Sequence, residues 1–69
     1  MRIILNNKEE FLDTSRTSLS IAELLVLKKF SFKSLVIKIN GQLVKRENRE
    51  STRFKEGDSV EVIHLISGG

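Results

Sequence analysis

The chain has 69 residues, no cysteine, one histidine, twelve Lys and Arg against nine Asp and Glu, and a net charge of +3 at pH 7. That length allows one domain burying about 60% of its unfolded surface, with no room for a deep substrate cavity, so any chemistry must borrow its pocket from a larger partner. The absence of cysteine excludes disulfides, thiolate metal sites and cysteine nucleophiles, and one histidine without cysteine argues against zinc.

The first residues, MRIILNN, alternate Met1, Ile3 and Leu5 with Arg2, Ile4 and Asn6, the period of a strand. Asn6-Asn7-Lys8 supplies a turn, and EEFLD reads as a short second strand whose large apolar residue is Phe11. TSRTSLS is polar and reads as a loop. It ends in Ser20-Ile21-Ala22-Glu23, a capping box, with Leu19 and Leu24 placed for a hydrophobic staple. A helix is expected through IAELLVLKKF, with Ile21, Leu24, Leu25 and the Lys28 stem on one face. Lys28 and Lys29 suit the negative pole of its dipole.

SLVIKINGQLVKRE predicts two further strands, with Ile37 and Ile39 on one face and Lys38 on the other. Asn40-Gly41 between them is the dipeptide best suited to a two-residue hairpin, because both positions tolerate positive φ. NRESTR is a charged connector with space for a single helical turn, followed by Phe54 as an apolar anchor. Glu56-Gly57-Asp58 makes a turn, and Val60 and Val62 alternate with Glu61 in a last strand.

Strand, strand, helix, strand, strand, strand is the order of a two-layer α+β domain spanning residues 1–69, with a flexible tail at 66–69. A crossover helix joins parallel strands, so the two strands flanking it are expected side by side. The expected core is Ile3, Leu5, Phe11, Leu24, Leu25, Ile37, Ile39, Phe54, Val60 and Val62. One amphipathic helix across a mixed four- or five-stranded sheet matches the ubiquitin-like β-grasp; a ferredoxin-like arrangement needs a second helix that the sequence lacks.

The longest apolar run, Ile21–Leu27, is interrupted by Glu23 and too short to cross a bilayer, and Met1 leads directly into a strand pattern with no signal-peptide character. The chain therefore reads as cytoplasmic, with no membrane partner. Its positive charges are scattered, and phenylalanine is the only aromatic, so the basic–aromatic interleaving that stacks single strands is missing and no nucleic acid is expected.

Two of the four glycines stand together at the end, in HLISGG. By itself the pair reads either as a frayed end or as a working tail whose carboxylate must enter a narrow pocket. The surrounding residues bear on that choice. MRIILNN, the capped helix, INGQLVKR, EGDSVEVI and the final GG together resemble the thiamine-biosynthesis sulfur carrier family over nearly the whole chain. Members commonly have proline where this chain has Lys45.

The resemblance implies a β-grasp carrier and not a catalyst, with no cofactor of its own. A ubiquitin-activating-like adenylyltransferase would use ATP and magnesium to adenylate the Gly69 carboxylate. A persulfide sulfur donor would convert the adenylate to a thiocarboxylate, and thiazole synthase would take the sulfur. Ser67 and Gly68 would complete the tail, extended roughly 13 Å over its last four residues at about 3.3 Å each. Rival carriers of the same fold are the small subunit of molybdopterin synthase, usually longer and often carrying prolines before the glycine pair, and ubiquitin-like modifiers. From another class, a small basic nucleic-acid-binding module would be indifferent to loss of Gly69.

If Val60 and Val62 face the helix, Ile63 and Leu65 face the other side of the sheet, as does Ile4. These residues, with Ile66, read as scattered surface or as a partner-docking patch beside the tail. His64, without an acid or nucleophile placed near it by sequence, reads as structural or solvated. Lys45, Arg46, Arg49, Arg53 and Lys55 read equally as a solvated loop and as a segment steering toward an acidic partner.

Overall fold

The computed structural model describes residues 1–30 and 34–65. Two short turns fix the first registers. Asn6 and Asn7 hold φ of 51° and 68°, so β1 (Arg2–Leu5) folds directly back onto β2 (Lys8–Phe11) with Leu5 opposite Lys8. Asn40 and Gly41 do the same at 49° and 85°, pairing β4 (Leu35–Ile39) with β5 (Gln42–Val44). β7 (Ser59–His64) lies between the hairpins, parallel to β1 and antiparallel to β4. The result is a five-stranded mixed sheet ordered β2-β1-β7-β4-β5.

Helix α1 (Ile21–Leu27) covers one face and buries Ile21, Leu24 and Leu25 against it. The expected capping box is formed: Glu23 N–H donates to Ser20 Oγ at 3.1 Å, and Ser20 N–H donates to Glu23 Oε1 at 2.8 Å. The next free amides, Ile21 and Ala22, donate to the carbonyls of Thr52 and Arg49. The helix stops at Leu27, short of the expected Phe30. Lys29 turns to a φ of 57°, and its N–H and that of Phe30 donate back to Val26 O and Leu25 O, closing a Schellman motif with lysine at the usual glycine position. Phe30 then packs against the core. The ammonium of Lys28 is held by Glu10 of β2 at 2.6 Å.

Several expectations are corrected. Phe11 is not in the core but 74% exposed. The two-residue Asn turn sets Ile3 opposite Glu10, so Glu10 takes the helix side of β2 and Phe11, opposite Arg2, takes the open side. Leu12, one residue past the strand, fills the buried position instead. Ile39 is half-buried and packs on the core from its rim.

The strands before and after the helix run in the same direction but are not neighbours, since β1 and β7 lie between β2 and β4. The side-by-side parallel pair is β1 with β7, from the two ends of the chain. The segment read as a polar loop contains β3 (Ser18–Ser20). It pairs with β6 (Arg53–Lys55) in a second, two-stranded sheet, Leu19 opposite Phe54. Both of these residues are buried, so the connector from Arg46 to Lys55 is fastened down by Phe54 as well as by a single 3₁₀ turn at Arg46–Asn48.

Candidate functional site

Strand alternation and the registers define the face of the sheet away from α1. On β7, Val60 and Val62 are buried toward the helix, which sends Ser59, Glu61 and Ile63 to the open side, with Leu65 following. Val36 lies directly across from Ile63, Lys38 across from Glu61, and Leu43 across from Lys38. Ile63 is 40% exposed, Leu65 56% and Leu43 62%. The open face thus has an apolar patch of Val36, Leu43, Ile63 and Leu65 beside a Lys38–Glu61 cross-strand pair of opposite charge.

The patch sits where the chain leaves the sheet. His64 is opposite Leu35, and the Leu65 N–H donates to Ser34 O at 2.8 Å. Ile66, Ser67, Gly68 and Gly69 lie outside the described residues. Ile63 and Leu65 therefore share the open face at the end of the described residues. Ile4 is not part of that group. It shares the open face but is registered with Ser59, four residues back along β7, or roughly 13 Å at about 3.3 Å per residue. Its neighbours are Ser59 and Glu9, and it is half-buried.

Sequence reasoning missed Val36 and Leu43. The signal was present, because the Asn40-Gly41 turn places Leu43 across from Lys38 and so on the face opposite Ile37. His64 is exposed, its ring edge-on to Phe30 with centroids 6.4 Å apart. The basic segment divides. Arg53 turns toward β3, its guanidinium donating to the Ser18 side chain and carbonyl, while Lys45, Arg46 and Arg49 line a cleft of about 340 Å³ beside β4 and β5. A second cleft, of about 560 Å³, runs between α1 and the segment after β2, lined by Asp13, Arg16, Val26 and Leu27 on the other side of the molecule. Among the described residues no three His, Asp or Glu side chains gather at a point that could hold a metal ion.

Among the described residues one ionisable group is clearly shifted. The Ser20 N–H bond holds the Glu23 carboxyl below its ordinary value of 4.5, the Arg16 guanidinium assisting, while partial desolvation works the other way. This is a helix-start carboxylate, remote from the sheet's open face. The open face carries an apolar patch at the end of the described residues, on a β-grasp domain of the ubiquitin-like class.

The comparisons agree with that class. The ThiS family profile matches residues 3–69. The chain is similar to the crystal structure of the thiamine biosynthesis protein ThiS from Geobacter metallireducens, with 31% identity, a TM-score of 0.86 and all of both chains covered. It is similar also to the solution structure of a thiamine biosynthesis protein from the same organism, with 31% identity, a TM-score of 0.82, and coverage of all of this chain and 88% of the other. No curated protein matches the sequence. The chain belongs to the ThiS family, a family of small sulfur carriers.

Proposed function

We propose that this carrier holds sulfur as a thiocarboxylate on Gly69 and delivers it for thiazole formation in thiamine biosynthesis. The observation that carries the reading is the extent of the family match, which continues through the terminal Gly68-Gly69. Its physical support is the placement of the exposed Ile63 and Leu65 at the point where the tail begins.

A terminal carboxyl ionises near pH 3.3–3.7, roughly, and is a poor electrophile at neutral pH. Attack of its oxygen on the α-phosphorus of ATP, with magnesium pyrophosphate leaving, gives an acyl-adenylate in the cleft of an adenylyltransferase. The terminal sulfur of a persulfide then attacks the acyl carbon and expels AMP, leaving an acyl disulfide. A thiol cleaves the S–S bond, is itself oxidised to a disulfide, and frees the thiocarboxylate. Thiazole synthase receives the sulfur.

Two neighbouring glycines suit this route because they carry no Cβ to block a constricted channel. Release of pyrophosphate by an adenylyltransferase of this family, with ATP and magnesium, is expected to require the full chain. Loss of Gly69 should abolish it. Equal release with the truncated chain would reject the reading.

A further inference from the structure

Arg49 is a buried cation without a counter-charge among the described residues. Only 8% of the residue is exposed, Nη2 donates to the Leu35 carbonyl of β4 at 3.0 Å, and Nε–H is buried without a partner among the described residues. None of the ion pairs among the described residues includes it. Withdrawing a guanidinium from water costs several kcal/mol unless a charge and hydrogen bonds compensate, to an order of magnitude. One neutral carbonyl supplies only part of that compensation.

Arg49 lines the cleft of about 340 Å³ together with Lys45 and Arg46, while Leu35 and Val36 of β4 and the preceding Ser34 form another side. The cleft is large enough for one acidic side chain. Glu47 also lines it, but stands in no ion pair with these cations. Val36 belongs both to the cleft and to the apolar patch, so a protein seated on the patch can extend a side chain into the cleft.

We infer that the Lys45–Arg46–Arg49 cleft is a carboxylate-binding site that receives an Asp or Glu side chain of a partner protein. A planar carboxylate can bridge two of the guanidinium and ammonium groups of Lys45, Arg46 and Arg49 that line the cleft, which a spherical anion does less well. This inference stands apart from the chemistry at Gly69, and its test uses no adenylyltransferase.

The test follows the Arg49 Nε–H resonance in ¹⁵N-labelled full-length chain during titration with acetate, with N-acetyl-glutamate methylamide and with phosphate, against chloride at matched ionic strength. Acetate and the blocked glutamate are expected to produce the same saturable shift, and chloride none. Lys45→Gln and Arg46→Gln should each raise the half-saturating concentration about threefold, the scale of one charge contact at side-chain distance in water. Glu47→Gln should lower it.

The carboxylate site is overturned if the shifts are linear and equal for chloride. It is overturned too if Glu47→Gln alone displaces the resonance as loss of an internal partner would. Tighter binding of phosphate than acetate rejects the assigned chemistry, and a response to acetate without one to the blocked glutamate rejects side-chain docking.

Discussion

Asn6 holds the last strand in place through its side chain: its Oδ1 accepts the Val62 N–H at 2.8 Å. The same residue turns β1 into β2 at a φ of 51°, and its N–H donates to Val60 O at 2.9 Å. The β1–β7 register is only Ile4 with Ser59 and Leu5 with Val60, so this amide continues the ladder past the point where the first strand turns away. One side chain thereby couples the start of the fold to the strand that presents the tail.

Asn6→Ala is expected to lose stability by about 2–4 kcal/mol. Roughly 1–3 kcal/mol comes from leaving the Val62 donor unpaired, and about 1 kcal/mol from forcing alanine into the left-handed region. Asn6→Gly removes the bond without the backbone strain and should fall between the two. Urea denaturation checks both; equal stability of Asn6→Ala and the parent would reject the coupling.

Lys45 stands where the family commonly has proline, and its backbone already suits one. Its φ is −67°, and it follows Val44, the last residue of an edge strand. In a two-residue hairpin the donors alternate, and pairing of Ile37 with Val44 directs the Lys45 N–H away from β4. Lys45→Pro should therefore stabilise by about 0.4–1 kcal/mol, by restricting the unfolded chain. Thermal unfolding at fixed pH reads the sign, and a drop in Tm would show that this N–H is used.

The charged start of α1 makes stability depend on pH. The folded Glu23 pKa lies below 4.5, so its contribution is fully present above 4.5 and is lost as pH falls through the lower, folded value. Glu23→Gln should flatten that part of the stability–pH curve while leaving the slope above pH 5 unchanged. A variant as acid-sensitive as the parent in this window would place the titration elsewhere.

Much of this was legible in the sequence, and the reasons are local. The capping box, the two-residue Asn40-Gly41 turn, the existence of a turn at Asn6-Asn7 and the alternation of β7 are each set by neighbours within a few residues, and they recover the helix start, the hairpins and the exposed Ile63 and Leu65. Phe11 was misplaced because the register follows from the exact length of the Asn6-Asn7 turn, and a shift by one residue exchanges the faces of a strand. β3 and β6 were missed because three-residue strands acquire their pairing from a segment 35 positions away, as in Leu19 with Phe54. The end of α1 was overrun because a lysine occupies the left-handed position that glycine normally announces. Neither the grouping of Val36 with Ile63 nor the burial of Arg49 is a property of neighbouring residues, so both waited on the sheet order.

The open face yields the docking prediction. Ile63→Asp and Leu65→Asp place charge on exposed positions and should leave the fold intact, while weakening binding to the adenylyltransferase by about tenfold or more, as loss of an apolar anchor does. Val26→Asp, an exposed apolar position on the helix side, serves as control and should leave affinity unchanged. Titration calorimetry compares the three, and unchanged affinity in both sheet variants would reject the patch.

The most direct measurement is the intact mass of the chain after incubation with the adenylyltransferase, ATP, magnesium, a persulfide donor and a reducing thiol. A gain equal to the replacement of one oxygen by sulfur, localised to Gly69 and abolished by one residue appended after it, is the predicted result. An unchanged mass, while a known carrier is loaded by the same mixture, would contradict the assignment of Gly69 as the sulfur-bearing terminus.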